Sequence, residues 1–393
     1  MYFIGIDLGT SGLRAILVDK FGSFVASSES NYEVSNPNPG WSEQNPESWI
    51  NACKLVFHDL RDNFPKEVSK LKSIGVAGHM HGAVLLNNLH APVRPCILWN
   101  DTRSYKEAQS LDNLSKVRDI SGNIVFPGFT APKLLWVKNN EPDIFKQIKT
   151  VVLPASYLNT WLIGTPVADM SDSAGTSWLD VKLRKWSEYL VVSSDMHLEQ
   201  MPKLVEGNQI AGQIRTELAS ELGFPKDVIV VGGAGDNAAA ACGVGAIKEG
   251  EGLVSLGTSG VLLVSRDQCK PYPDAAVHTF CHAIPEKWYQ MGVILSATDS
   301  LNWLSKISGK TAAELDNLLP NEPTGPANER FFPYLSGERT PLNDAHIRAG
   351  FSGLGQTSDL TKLTQCVMEG VSFALRDCLE AIKKTGASPR SLL

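Results

Sequence analysis

Ile6-Asp7-Leu8-Gly9-Thr10-Ser11-Gly12, near the start of the chain, and Leu256-Gly257-Thr258-Ser259-Gly260, well past its middle, share the pentapeptide Leu-Gly-Thr-Ser-Gly. Each copy follows an apolar strand-like run and precedes another: residues 3–8 and 13–18 flank the first, and 252–256 and 261–265 the second. A glycine-rich strand–turn–strand hairpin turns backbone N–H groups toward one point, and threonine and serine hydroxyls add donors there, which makes a concavity for phosphate. One copy alone reads as readily as a plain hairpin turn. Two copies at matching positions favour duplication and a pair of phosphate loops that together clamp a nucleotide. Gly9, Thr10, Ser11, Gly257, Thr258 and Ser259 are therefore the nucleotide-binding candidates. The copies differ just upstream, where the first has Asp7 and the second Ser255. Only the first supplies a carboxylate beside the phosphates, and Mg2+ on phosphate oxygens takes one or two such groups. Asp7 is the metal candidate; Arg14 either adds positive charge there or is a solvated surface arginine.

Outward from the hairpins, a third strand is expected at 24–28, a Pro-rich loop at 36–40 and a helix at 46–64. Strands follow at 72–77 and 83–86, and residues 104–225 read as mostly helical. A buried strand at 228–233 leads into Asp236 and a helix of small residues at 237–245. Strands resume with the second hairpin and at 288–295, and helices are expected at 298–307 and 359–385. Strands first and helices later, twice over, predicts an α/β protein of two domains on a related plan, 1–245 and 246–393.

Three further segments carry chemistry. Gly235-Asp236-Asn237 joins a buried strand to a helix, so Asp236 reads both as a helix N-cap and as a base that orients an accepting hydroxyl. His79-Met80-His81 at a strand end lacks a third ligand for a metal and fits a polar sugar contact better. Trp99-Asn100-Asp101 offers an aromatic face and hydrogen-bonding side chains in one short loop, although Trp99 reads equally as core. The stretch from Phe331 to Pro341 holds Arg339, which reads as a loop-fixing residue more than a phosphate contact.

The bulk properties set limits. The chain has 393 residues, 43% hydrophobic and 20% charged, with a formal net charge of −6. That mild acidity gives no reason to expect nucleic acid or an anionic membrane as partner. The seven cysteines are odd in number and form no C-x-x-C pair, so reduced thiols are expected. No signal peptide or spanning segment is visible, which points to the cytoplasm. A homodimer is left open.

Taken together, these segments resemble the FGGY carbohydrate kinases, the xylulokinases among them most closely. The resemblance rests on residues 6–12, Met80-His81-Gly82, Leu98-Trp99-Asn100-Asp101 with Arg103, Gly235-Asp236-Asn237, the second pentapeptide and residues 333–341, in order along nearly the whole chain. It implies two actin-like, ribonuclease H-like domains with a cleft between them. It implies ATP with Mg2+, and transfer of the γ-phosphate to a ketopentose, D-xylulose, at its 5-hydroxyl. It makes Asp236 the catalytic base and Asp7 the second carboxylate that matters. It places the sugar at Met80 and His81 with Asp236 and Asn237, alongside Trp99, Asn100 and Asp101. Other sugar or polyol kinases of the family, a non-catalytic sugar-binding relic, and an actin-like ATPase without a small substrate are the alternatives. Two departures from the family pattern stand out. His79 replaces the usual Gln. The chain ends at Ser391-Leu392-Leu393, where the family begins a strand leading to an adenosine loop. The second domain is accordingly expected to be incomplete, by roughly a third to a half of a typical domain, and ATP affinity to be weak.

Overall fold

A computed structural model describes residues 1–320, 322 and 325–393. The chain divides into two units, Met1–Gly243 with Phe280–Lys287, and Val244–Thr279 with Trp288–Leu393. A single cut after residue 245 does not contain the return of Phe280–Lys287 to the first unit.

In the first unit, β1 (Tyr2–Leu8), β2 (Gly12–Asp19) and β3 (Phe24–Asn31) form an antiparallel meander. Along β1, Ile4, Ile6 and Leu8 are buried while Asp7 between them is exposed, the period-two alternation of a strand. Helix α1 (Pro46–Asn63) starts where Asn45 accepts from the Glu47 N–H at 3.1 Å and Pro46 takes the first turn. It buries Trp49, Ile50, Cys53, Val56, Phe57 and Leu60 at helical spacing in the main core. Strand β4 (Leu71–Gly78) lies parallel to β1 with Leu8 opposite Gly78. Helices α2 (Thr130–Asn140) and α3 (Pro154–Ile163) follow, then β5 (Ile210–Gln213), β6 (Ile229–Val231), β7 (Ala234–Gly235) and α4 (Asp236–Val244). The sheet order is β5-β6-β4-β1-β2-β3, with β7 parallel to the end of β4 and Gly235 opposite Gly78.

The expectation of a mostly helical stretch over 104–225 is only partly met. Helices there alternate with strands at Thr150–Val152, Val167–Asp169, Leu179–Asp180, Lys185–Trp186 and Lys203–Val205, and with β5. Strands of two to four residues are too short to show a period in sequence. Much of this stretch builds a second core around Leu111, Leu134, Val137, Trp178 and Leu190.

In the second unit, β8 (Glu251–Leu256), β9 (Gly260–Arg266) and β10 (Trp288–Ile294) are again an antiparallel meander. Strand β11 (Ser391–Leu392) lies parallel to β8. The run β11-β8-β9-β10 thus repeats the run β4-β1-β2-β3 of the first unit. After α5 (Thr298–Ser308), the long α6 (Leu360–Lys383) is capped by Asp359, which accepts from the Lys362 N–H at 3.0 Å. It buries Val367, Gly370, Ala374, Cys378 and Ala381, one helical face. A Cβ on Gly292 would lie 2.6 Å from the Cys378 Cβ, so β10 needs glycine there for α6 to seat.

Candidate active site

Three strand ends of the first unit adjoin. Leu8 of β1, Gly78 of β4 and Gly235 of β7 stand in one register row, and the His79 N–H donates to the Leu8 carbonyl at 3.0 Å. The segments leaving these ends are the first hairpin, the His79–Met80–His81 turn and Asp236. The carboxyl ends of parallel strands are where open α/β sheets bind ligands.

The first hairpin is tied down through its carbonyls. Gly9 O accepts from the Tyr32 hydroxyl at 2.6 Å, Thr10 O from Gln44 Nε2 at 2.6 Å and Ser11 O from the Tyr32 N–H at 3.1 Å. In a trans peptide the C=O and the following N–H point opposite ways. The N–H groups of Thr10 and Ser11 are therefore turned away from these ties, which is the anion-binding arrangement. Arg14 forms an exposed pair with Glu29 at 2.6 Å, a surface ion pair. Desolvation pushes the Asp7 carboxyl up, against the pull of Arg14.

The second hairpin is held in a related way. Gly257 O accepts from the Thr298 N–H at 3.0 Å and from its hydroxyl at 2.7 Å, and Thr258 O accepts from the Ala297 N–H at 2.8 Å. The N–H groups of Thr258 and Ser259 face the other way by the same reasoning. The identical pentapeptides nevertheless close differently: Gly9 N–H bonds to Gly12 O at 2.9 Å, but Gly257 N–H bonds to Ser259 O at 3.0 Å. In the same unit Glu338 accepts from the Leu295 and Arg339 N–H groups, at 3.0 and 2.7 Å, which fixes the segment around Arg339.

Asp236 opens α4, and its Oδ1 accepts from the N–H and the side-chain amide of Asn237, at 2.7 and 2.9 Å. Burial raises its pKa to about 6; the Asn237 bonds oppose the rise and the nearby charge of Asp7 adds to it. A carboxylate poised near neutrality suits proton transfer. Beside it lies a pair that sequence reading missed. Asp169 caps a short turn by accepting from Ser171 and Asp172 N–H groups, and Asp172 is completely buried with neither carboxyl oxygen hydrogen-bonded. Burial first, then the charges of Asp169 and Asp236, push the Asp172 carboxyl well above the ordinary carboxylate range. Its only signal in sequence is the Asp-x-x-Asp spacing at the end of a short apolar run.

His81 sits in the left-handed region with φ of 70°, which a histidine adopts only when its surroundings hold it there. Its Nδ1 lies 2.6 Å from the Gly175 carbonyl. A carbonyl only accepts, so Nδ1 carries a proton toward it. The ring stacks on Phe129 at 4.4 Å. Met80 is buried, with a Cβ on Gly235 reaching within 2.9 Å of its Cγ. His79 lies apart from this group: it is buried edge-on to Trp49 at 5.7 Å, and burial lowers its pKa to about 3. Among the described residues no cluster of three or more His, Cys, Asp or Glu side chains has the make-up of a metal site.

The loop at 99–101 splits in two. Trp99 is 45% exposed and donates from Nε1 to the Thr10 hydroxyl at 3.1 Å, joining this loop to the first hairpin. Asn100 is exposed. Asp101 is buried and fully engaged: its oxygens accept from the Ser42 N–H at 2.6 Å, the Arg103 N–H at 2.9 Å and Arg103 Nη2 at 2.7 Å. Arg103 also reaches Glu43 at 2.6 Å and lies over Trp41 at 3.7 Å, while Arg94 bridges Glu43 and Glu141. With both oxygens taken, Asp101 builds the loop and has none left for a sugar.

The family model for the N-terminal domain of the FGGY carbohydrate kinases matches residues 2–243, and that for the C-terminal domain matches residues 252–393. A xylulose kinase of Escherichia coli (strain K12) is 42% identical over 392 residues, 99% of this chain and 80% of that protein. A xylulose kinase of Bacillus subtilis (strain 168) is 33% identical over 397 residues, 100% of this chain and 79% of that protein. Among solved structures, a xyloylose kinase from Brucella ovis is 53% identical with a TM-score of 0.99, covering 100% of this chain and 81% of that one. A gluconate kinase from Lactobacillus acidophilus is 27% identical with a TM-score of 0.93, covering 100% and 80%. The chain thus spans about four fifths of the length of these proteins. All seven cysteines are free thiols, and no described helix is long and apolar enough to cross a membrane.

Proposed function

The chain belongs to the FGGY family of carbohydrate kinases, and we propose that it transfers the γ-phosphoryl group of ATP to the 5-hydroxyl of D-xylulose, giving D-xylulose 5-phosphate and ADP. The observation that carries the reaction is the shared register of Leu8, Gly78 and Gly235: Asp7 stands one residue before this row, and Met80-His81 and Asp236 follow it. The sugar is the one acted on by the xylulose kinases that the chain resembles over nearly its whole length.

In this reading the Asp236 carboxylate accepts a hydrogen bond from the reacting hydroxyl and aims it. The hydroxyl oxygen bonds to the γ-phosphorus as the bond to the ADP oxygen breaks, and the proton passes late to Asp236. Asn237 holds that carboxylate through its two donors. His81 offers Nε2 to a second sugar hydroxyl, and Met80 supplies an apolar wall. Trp99 and Asn100 border the sugar side. The amides and hydroxyls of Thr10 and Ser11, and of Thr258 and Ser259, are the donors for phosphate oxygens, while the Gly9 and Gly257 amides close their own turns. Mg2+, when bound with ATP, neutralises phosphate charge. Asp7 would hold it: an exposed carboxylate beside the phosphate hairpin fits an ion otherwise coordinated by phosphate and water. ATP and free thiols both suit the cytoplasm.

A coupled ADP-release assay over D-xylulose, D-ribulose, glycerol and D-gluconate tests the reading. D-xylulose should give the highest kcat/KM. Equal or greater turnover on another member of the panel reassigns the sugar, and ATP hydrolysis indifferent to all of them removes the kinase reading.

A further inference from the structure

Lys133 is a lysine with no access to solvent at all, on the inner face of α2. A buried amine needs a reason, because desolvating it is costly. Its Nζ donates to the backbone carbonyls of His81 at 2.8 Å and Gly128 at 2.7 Å. The Thr130 hydroxyl, one turn earlier on the same helix, donates to the same His81 carbonyl at 3.1 Å. These bonds join the segments around the sugar side. His81 is the residue with positive φ whose ring stacks on Phe129, and Gly128 immediately precedes Phe129. Gly128 in turn presses on the Trp99 loop, since a Cβ there would lie 2.2 Å from the Trp99 carbonyl oxygen.

We propose that Lys133 is a positioning residue for sugar binding: it clasps the His81 turn to the Gly128 loop and so sets where His81 Nε2 and Trp99 stand. The inference rests on the reading of His81 as a sugar contact. Burial draws the amine down to about 7; the thiol of Cys96 and the carboxylate of Asp101 oppose that, and Arg103 adds to it. His79 also faces it, neutral. An amine keeps two N–H groups in either protonation state, one for each carbonyl, so the clasp holds on both sides of neutral pH.

The test uses the full chain with Lys133→Met, which keeps length and removes both donors. The sugar KM should rise about tenfold or more while kcat changes less than threefold, and Lys133→Arg should recover most of the affinity. In a His81→Ala background the same Lys133→Met change should add less than twofold, because the two residues act as one unit. A merely structural lysine would cost both backgrounds equally, and that result overturns the proposal, as does a folded Lys133→Met variant with unchanged KM. If Lys133→Met does not fold, Thr130→Val carries the test, since it removes a donor to the same carbonyl without changing shape. A threefold or larger rise in KM supports the clasp, and an unchanged KM overturns it. Should the wild type prove inactive on D-xylulose, the substrate reading fails by itself. The clasp is then read from the His81 ring signals in NMR: loss of the fixed Nδ1–H proton in Lys133→Met supports it, and unchanged ring signals overturn it.

Discussion

Asp236→Asn should make the protein slower and more stable at once. Asparagine keeps an oxygen that can accept from the Asn237 N–H and amide, so the local geometry survives. What disappears is the proton acceptor, worth roughly 10²–10⁴ in rate. The stability gain follows from the raised pKa, from an ordinary 3.8 to about 6. Between those values the unfolded chain has lost the proton that the folded chain keeps, so wild-type stability falls as pH rises through this window and stays lower above it. A shift of two units amounts to roughly 3 kcal/mol above pH 6, and to about half of that at pH 5. The variant should therefore unfold about 6–12 °C higher at pH 7.5, at about 2–4 °C per kcal/mol in a unit of this size. That advantage should halve at pH 5. Scanning calorimetry at both pH values reads the gain, and a coupled assay reads the rate. In the wild type, kcat/KM should fall tenfold per pH unit below about 6, as the carboxylate protonates. A variant that is both inactive and less stable at pH 7.5, or a wild-type profile flat from pH 5 to 7, would refute the reasoning.

Four other outcomes follow from the same structure. Asp172→Asn should raise the melting temperature near neutral pH, because burial pushes this carboxyl well up on folding, and the gain should shrink as pH falls through the ordinary carboxylate range and below it. Arg103→Met should cost about 3–5 kcal/mol in urea unfolding, since it strands the buried Asp101 without its cationic partner, while Glu43 keeps Arg94. Trp99→Phe, which loses only the bond to Thr10, should lower kcat/KM by roughly three- to tenfold, in line with about 1 kcal/mol for one hydrogen bond. Asp7→Asn should raise the Mg2+ concentration needed for half-maximal rate, read by titrating Mg2+ at fixed ATP; an unchanged requirement removes Asp7 from the metal's surroundings.

The fold was legible where elements are long or punctuated. The two meanders announce themselves through an identical turn between apolar runs, and α1 and α6 through helical spacing over many turns. The strands at 150–152, 167–169 and 203–205 escaped because each is three residues long and paired at a distance in sequence. The site was legible where chemistry is unusual for its place, as with Asp236 between glycine and a helix of alanines. Asp101 misled, because a carboxylate in a polar loop looks the same whether it meets a ligand or an arginine two residues on. Lys133 was overlooked for the opposite reason. Within Thr130-Ala131-Pro132-Lys133-Leu134 it passes for the polar side of an amphipathic helix, and only its spacing from Val137 hints that it points inward. What a buried charge holds depends on segments some fifty residues away, as with the His81 carbonyl, and no local pattern records that.

The bond between Trp99 and Thr10 decides the direction of one proton. An indole N–H can only donate, so the Thr10 oxygen must be the acceptor and its own hydrogen has to leave along another line. The hydroxyl at the tip of the first hairpin thus has one of its two lone pairs engaged, and its hydrogen and one remaining lone pair share the other directions. A loop some ninety residues away thus limits how a hairpin hydroxyl can turn. Replacing Trp99 would free that hydroxyl to turn, and the hairpin would change its hydrogen-bonding face although none of its own residues had changed.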